Sequence, residues 1–137
     1  MALSASTSPT VRRELLVLSH DAGLAGRFAG VAARCDLALR TAAPEDQAGV
    51  TTTEELAVAV LDLDSPGVDT LALCRELSRQ HTDDAIPVLL WTGSQLDGGA
   101  GQYLEAGATE LLRTPLSEEE LEFRLKAHLH RTTWFRE

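Results

Sequence analysis

The chain has 137 residues, 44% of them hydrophobic, and sets 12 Lys and Arg against 21 Asp and Glu for a formal charge of −9. That is one domain's length of chain with enough apolar residues for a core, and the acid excess argues against a domain that grips nucleic acid, which needs a basic face. The longest apolar runs, Leu56 to Leu61 and Ile86 to Trp91, fall far short of the ~20 residues of a membrane span, and no basic start followed by a long apolar stretch marks a signal peptide.

In chain order, residues 1–11 are rich in Ser, Thr, Ala and Pro without periodicity and read as a flexible tail. The folded part begins at Glu14, and Leu15 to Leu18 is a short apolar run, the pattern of a strand covered on both faces. From Asp21 to Cys35, residues Leu24, Phe28, Val31 and Cys35 recur at helical spacing. Leu37 to Thr41 alternates as a second strand, and Pro44 to Glu55 reads as a short helix or loop. Leu56 to Leu61 is the clearest buried strand and ends at Asp62; Pro66-Gly67 marks a turn, and Val68 to Gln80 reads as a helix. Ile86 to Trp91 is a fourth strand, ending at Thr92-Gly93. Leu96 to Ala106 reads as a glycine-weakened helix stopped by Gly107, and Glu110 to Arg113 as a fifth strand. The last helix has the sharpest local signature: Ser117 as N-cap, Glu120 three residues on, Leu116 and Leu121 placed for a hydrophobic staple, and Leu121, Leu125 and Leu129 as its inward stripe. Cys35 and Cys74 lack metal-site spacing and read as buried thiols in a reducing compartment.

Five strands alternating with five helices imply an α/β domain with a parallel sheet covered on both faces. Sites in such sheets lie beyond the carboxyl ends of the strands. The residues to read there are Ser19, His20 and Asp21, then Asp62 and Asp64, then Thr92 and Gly93, then Arg113, Thr114 and Pro115. No phosphate-binding glycine loop follows a strand, and no nucleophile–base–orienter set accompanies Ser19 and His20. Asp62 is expected to bond to its own loop or to Thr92, and Asp64 to be a solvated loop residue. His20, set beside Asp62, is a candidate for titration near neutral pH.

Leu61-Asp62-Leu63-Asp64-Ser65-Pro66-Gly67, Ile86-Pro87-Val88-Leu89-Leu90-Trp91-Thr92 and Gly107-Ala108 through Thr114-Pro115 together resemble the receiver domain of two-component response regulators, over about residues 12–131. The resemblance implies a flavodoxin-like (βα)5 fold, a doubly wound parallel five-stranded sheet of order 2-1-3-4-5. It maps the phosphoacceptor onto Asp62 and the switch hydroxyl onto Thr92. The departures are as informative. The positions of the family's Mg²⁺-binding acidic pair hold Ser19 and His20, with Asp21 one place too late. The position of its lysine holds Thr114, and that of its aromatic switch holds Leu111.

These residues point to a degenerate, or pseudo-, receiver: a cytoplasmic signalling module acting by protein–protein contact, not an enzyme, with no cofactor expected. The alternative is a working phosphoacceptor modified on Asp62 by a histidine kinase or phosphotransfer protein. In that reading Mg²⁺ is required, and a rearranged site would draw on Asp21, Asp62 and Asp64. The expected partner is a kinase, an output domain or a second copy, with no nucleic acid or membrane contacted by this domain. The resemblance places the contact on the fourth helix, fifth strand and fifth helix, with Leu111, Phe123, Trp134 and Phe135 as candidates. Residues 132–137 read as a C-terminal tail or the start of a linker to an output domain.

Overall fold

Period-two alternation in the strands decides the architecture. The computed structural model describes residues 13–46, 56–79, 86–93 and 100–136, with side chains up to Leu129. In chain order the elements are β1 (Glu14–Leu18), α1 (Ala22–Arg34), β2 (Ala38–Ala42), β3 (Leu56–Asp62), α2 (Thr70–Arg79), β4 (Val88–Thr92), α3 (Ala100–Glu105), β5 (Glu110–Arg113) and α4 (Glu118–Arg136). All strand pairs are parallel, and the sheet order is β2-β1-β3-β4-β5. This is the expected 2-1-3-4-5 arrangement.

Odd and even residues of the central strands feed two separate cores. Leu15, Val17, Val58, Val60, Leu89, Trp91 and Leu112 pack under α1 and α4, against Leu24, Phe28, Val31, Leu121 and Leu125. Leu16, Leu18, Ala59, Leu61, Val88 and Leu90 pack on the other side, under Cys74 and Leu77 of α2 and Ala106 just past α3. Every residue of β3 is buried, as a strand flanked on both edges and both faces must be.

Boundaries follow local chemistry. Asp21 caps α1, its side chain accepting from the Gly23 N–H, and Cys35 is the C-cap rather than a helical residue. β2 begins one residue later than expected. β4 starts at Val88, not Ile86, because Pro87 has no N–H to give a ladder; its carbonyl instead accepts from the Ala59 N–H at 3.0 Å. α2 starts two residues later than expected, and Gln80, its expected last residue, lies outside the described residues. Of the expected Leu96–Ala106 helix, residues 94–99 lie outside the described residues and Ala100–Glu105 is helical. Gly107 follows with φ +108°, where a Cβ would fall 2.1 Å from Ser78 Oγ, so only glycine lets this turn lie on α2. The Ser117 hydroxyl accepts from the Glu120 N–H at 3.0 Å, as its capping pattern predicts. α4 then continues through Arg136. The 1–11 tail lies outside the described residues, as do positions 47–55 of the expected second helix; residues 44–46 form a turn.

Arg27 locks one end of the larger core. Its guanidinium lies 5.1 Å from the Trp91 ring centroid and donates to the Leu116 carbonyl, while Trp91 meets Phe28 edge-on at 5.5 Å.

Candidate functional site at the carboxyl edge of the sheet

Parallel strands bring β1, β3, β4 and β5 to one edge with their carboxyl ends together. Ser19, Asp62, Thr92 and Thr114 follow or close these strands, so topology alone gathers them. Asp62 is 5% exposed, and a buried carboxylate must find donors. It finds hydroxyls and an amide. Ser19 Oγ donates to Asp62 Oδ2 at 2.6 Å, Ser65 Oγ approaches the same oxygen at 3.5 Å, and the Asp64 N–H donates to Oδ1 at 2.9 Å. Ser19 is itself oriented, its oxygen accepting from the Asp21 N–H at 2.8 Å. Ser65 accepts from the His20 N–H at 3.2 Å. The Asp62 carboxylate thus sits in a small hydrogen-bonded basket.

Asp62 bonds to its loop, as expected, but the Thr92 hydroxyl goes elsewhere. Thr92 Oγ1 donates to Asp64 Oδ1 at 2.8 Å, and the Gly93 N–H donates to Asp64 Oδ2 at 2.7 Å. Asp64 is an exposed loop residue, as its sequence suggested, and it also bridges two strand ends. Strand patterning carries no trace of this, because Asp64 lies past β3 where alternation stops.

The other edge residues diverge. His20 is not turned to Asp62: its Nε2 lies 2.6 Å from Glu45 Oε1 on the loop after β2, and this contact lowers the Glu45 carboxyl below its ordinary value. The Asp21 carboxylate accepts from the Gly23 N–H at 2.8 Å. Thr114, in the lysine position, does face the site: a Cβ built on Gly93 would lie 3.2 Å from Thr114 Oγ1 and 3.4 Å from Asp64 Oδ2. Its N–H donates to the Thr92 carbonyl, and the peptide it forms with Pro115 is cis. Arg113 is exposed on the opposite side of the strand.

Mg²⁺ takes near-octahedral oxygen ligation, usually including one or two carboxylates. Here the carboxylates near the edge already accept hydrogen bonds, Asp62 from Ser19, Asp64 from Thr92 and Asp21 from the Gly23 N–H. Among the described residues, no three His, Cys, Asp or Glu side chains gather as a metal group.

A second feature lies on β5 and α4. A groove of about 370 Å³ is lined by Thr109, Glu110, Phe123, Arg124, Ala127 and His128. Phe123 stands 72% exposed at its rim, whereas His128 is buried with Nε2 2.6 Å from Glu110 Oε1. Arg124 meets the other Glu110 oxygen and also Glu120. Leu111 is half-buried against the α2 core. The side chains of Trp134 and Phe135 lie outside the described residues, although α4 runs through both positions. Sequence reasoning passed over Glu110 and His128, which pair only because β5 lies alongside α4.

No family model matches the chain. Part of it aligns with response regulators: 74 residues are 39% identical to the response regulator MprA of Mycolicibacterium vanbaalenii, covering 54% of this chain and 31% of MprA. Another alignment of 80 residues is 36% identical to the transcriptional regulatory protein TctD of Salmonella typhimurium, covering 58% and 35%. The chain thus spans about a third of these relatives' length. Its fold matches the CheY-like receiver domain protein of Methanospirillum hungatei with a TM-score of 0.77 at 17% identity, over 89% of this chain and 97% of that one. It also matches the BeF3-activated receiver domain of DrrB, with a TM-score of 0.74 at 23% identity over 88% and 100%. The partial sequence matches are to response regulators, and the fold is that of CheY-like receiver domains. No helix among the described residues is long and apolar enough to cross a membrane.

Proposed function

We propose that this receiver domain is a degenerate one, a cytoplasmic signalling module that works by protein contact without the usual Mg²⁺-dependent phosphorylation. The observation that carries this reading is the 2.6 Å bond from Ser19 Oγ to Asp62. A serine hydroxyl occupies one oxygen of the phosphoacceptor-position carboxylate, where the receiver resemblance leads one to expect a metal held by acidic neighbours.

Phosphoryl transfer onto a carboxylate brings negative charge beside negative charge, and catalysis is largely its neutralisation and positioning. Ser19 and Thr114 are neutral, and His20 is engaged with Glu45. Two missing electrostatic partners, at roughly 2–4 kcal/mol each by analogy with deleted oxyanion donors, slow transfer by about 10³-fold or more. The domain's work then falls to its surfaces. The face formed by α3, β5 and α4, with Phe123 beside the groove, is the proposed contact for a kinase, an output domain or a second copy. No cofactor or catalytic turnover is invoked.

The alternative keeps Asp62 as a phosphoacceptor. It draws support from placement: Asp62 closes β3 and pairs in register with Trp91, next to Thr92. Intact mass after incubation with acetyl phosphate, with and without Mg²⁺, separates the two for wild type and Asp62→Ala. No adduct is expected. A Mg²⁺-dependent phosphoryl adduct that disappears in Asp62→Ala overturns the degenerate reading and establishes the alternative.

A further inference from the structure

The hydrogen bonds at the sheet edge form a chain with a direction. Asp62 Oδ1 holds the backbone N–H of Asp64 at 2.9 Å. The Asp64 side chain then reaches across to β4 and takes two donors at once, the Thr92 hydroxyl on one oxygen and the Gly93 N–H on the other. The fit there is close, since a side chain at Gly93 would press on both the Asp64 carboxylate and Thr114 Oγ1. Thr92 is 1% exposed, so its hydroxyl depends on protein partners for satisfaction.

We infer that Asp64 is a clasp that couples the Asp62 loop to the end of β4. Asp62 sets the position of the Asp64 backbone, and the Asp64 carboxylate sets the positions of Thr92 and Gly93. Two oxygens in one carboxylate make the clasp bidentate and charge-assisted, so it fixes orientation as well as distance. A perturbation at Asp62, whether a charge, a covalent group or a displaced Ser19, is transmitted to β4 through the Asp64 peptide. This coupling is independent of whether Asp62 ever accepts a phosphoryl group, so it stands or falls separately from the proposed function.

The test is amide hydrogen exchange and chemical shift by NMR on the full chain, with no phosphodonor present. Asp64→Ala is expected to speed exchange of the Gly93 amide by about ten-fold and shift the Thr92 and Gly93 resonances, while Val17 and Val60 amides keep their protection. Asp64→Asn, with one acceptor oxygen left, should fall between wild type and Asp64→Ala. Asp62→Ala should also move Gly93, but not when Asp64 is already Ala, a non-additivity that defines coupling through Asp64. An unchanged Gly93 amide in Asp64→Ala overturns the clasp. An equal effect of Asp62→Ala with and without Asp64 overturns the relay. Asp64 is exposed and its replacement leaves both cores intact, so the first comparison decides the clasp even where Asp62→Ala fails to fold.

Discussion

The two faces of the sheet are covered by different means. Beneath α1 and α4 lie Phe28, Trp91, Leu121 and Leu125, and the helices are also joined at the surface by Arg34, which bonds Glu122 at 2.6 Å and Glu118 at 3.3 Å. Beneath α2 and α3 the core is built of smaller side chains, and α3 is a six-residue helix with no buried residue. Tyr103 of α3 packs, partly buried, against this core, and α3 is further held by the Thr70–Tyr103 hydroxyl contact at 2.5 Å and by the close seat of Gly107 on Ser78. Both faces are apolar cores, but α3 adds no fully buried residue to its own and leans on a few contacts through Tyr103 and Gly107. Elements with little buried surface open at low free-energy cost, so the second face is the one suited to moving or remodelling on partner contact.

The largest effect that sharpens this contrast is in the first core. Phe28→Ala is expected to cost about 3–5 kcal/mol in urea unfolding, while Leu104→Ala on α3, at 60% exposure, should stay within about 0.5 kcal/mol. Comparable losses for the two would erase the distinction. Next comes Gly107→Ala, which adds a Cβ to a left-handed residue already against Ser78; about 1–3 kcal/mol is expected from thermal melts. A neutral result there would mean that α3 is not held by this seat. Smaller again are Tyr103→Phe, which removes the hydroxyl from Thr70, and Ser117→Ala, which removes the α4 cap. About 1 kcal/mol is expected for each. Only Tyr103→Phe should raise amide exchange in α3.

The smallest effect is electrostatic. Lys126, and then Arg34, hold the Glu122 carboxyl below its ordinary value of 4.5. A carboxyl lowered in the folded state contributes stability that is complete above the ordinary glutamate range and lost as pH falls through the lowered value. The stability difference between wild type and Glu122→Gln should therefore be present at neutral pH and shrink as pH falls below the ordinary glutamate value of 4.5, and added salt should also shrink it. A gap that does not shrink with falling pH would show that Glu122 acts by packing rather than by charge.

How far each feature was legible follows from how local its cause is. The strands at Leu56 and Glu110, the Asp21 and Ser117 helix starts and the Gly107 stop were readable because each depends on a few neighbouring residues: an apolar run, a capping side chain, a residue without a Cβ. The shift of β4 to Val88 was readable in principle too, since Pro87 cannot donate to a ladder. The site was legible as a set of positions and not as a set of bonds. Asp62, Thr92, Ser19 and Thr114 were named from strand ends and do converge. Which of its two expected partners Asp62 takes, its loop rather than Thr92, was not readable, nor was the turn of His20 to Glu45.

Periodicity and capping were enough to specify a doubly covered parallel sheet with Asp62 at a strand end, because both are properties of adjacent residues. Tertiary structure alone decided that Ser19 satisfies Asp62, that Asp64 takes Thr92 and Gly93, that His20 turns to Glu45 and that Glu110 meets His128. Those pairings join residues 18 to 43 positions apart. At such separations the choice of partner is made by strand register and loop course, with side chains of the same polarity competing for the same donors, and no local pattern encodes the winner.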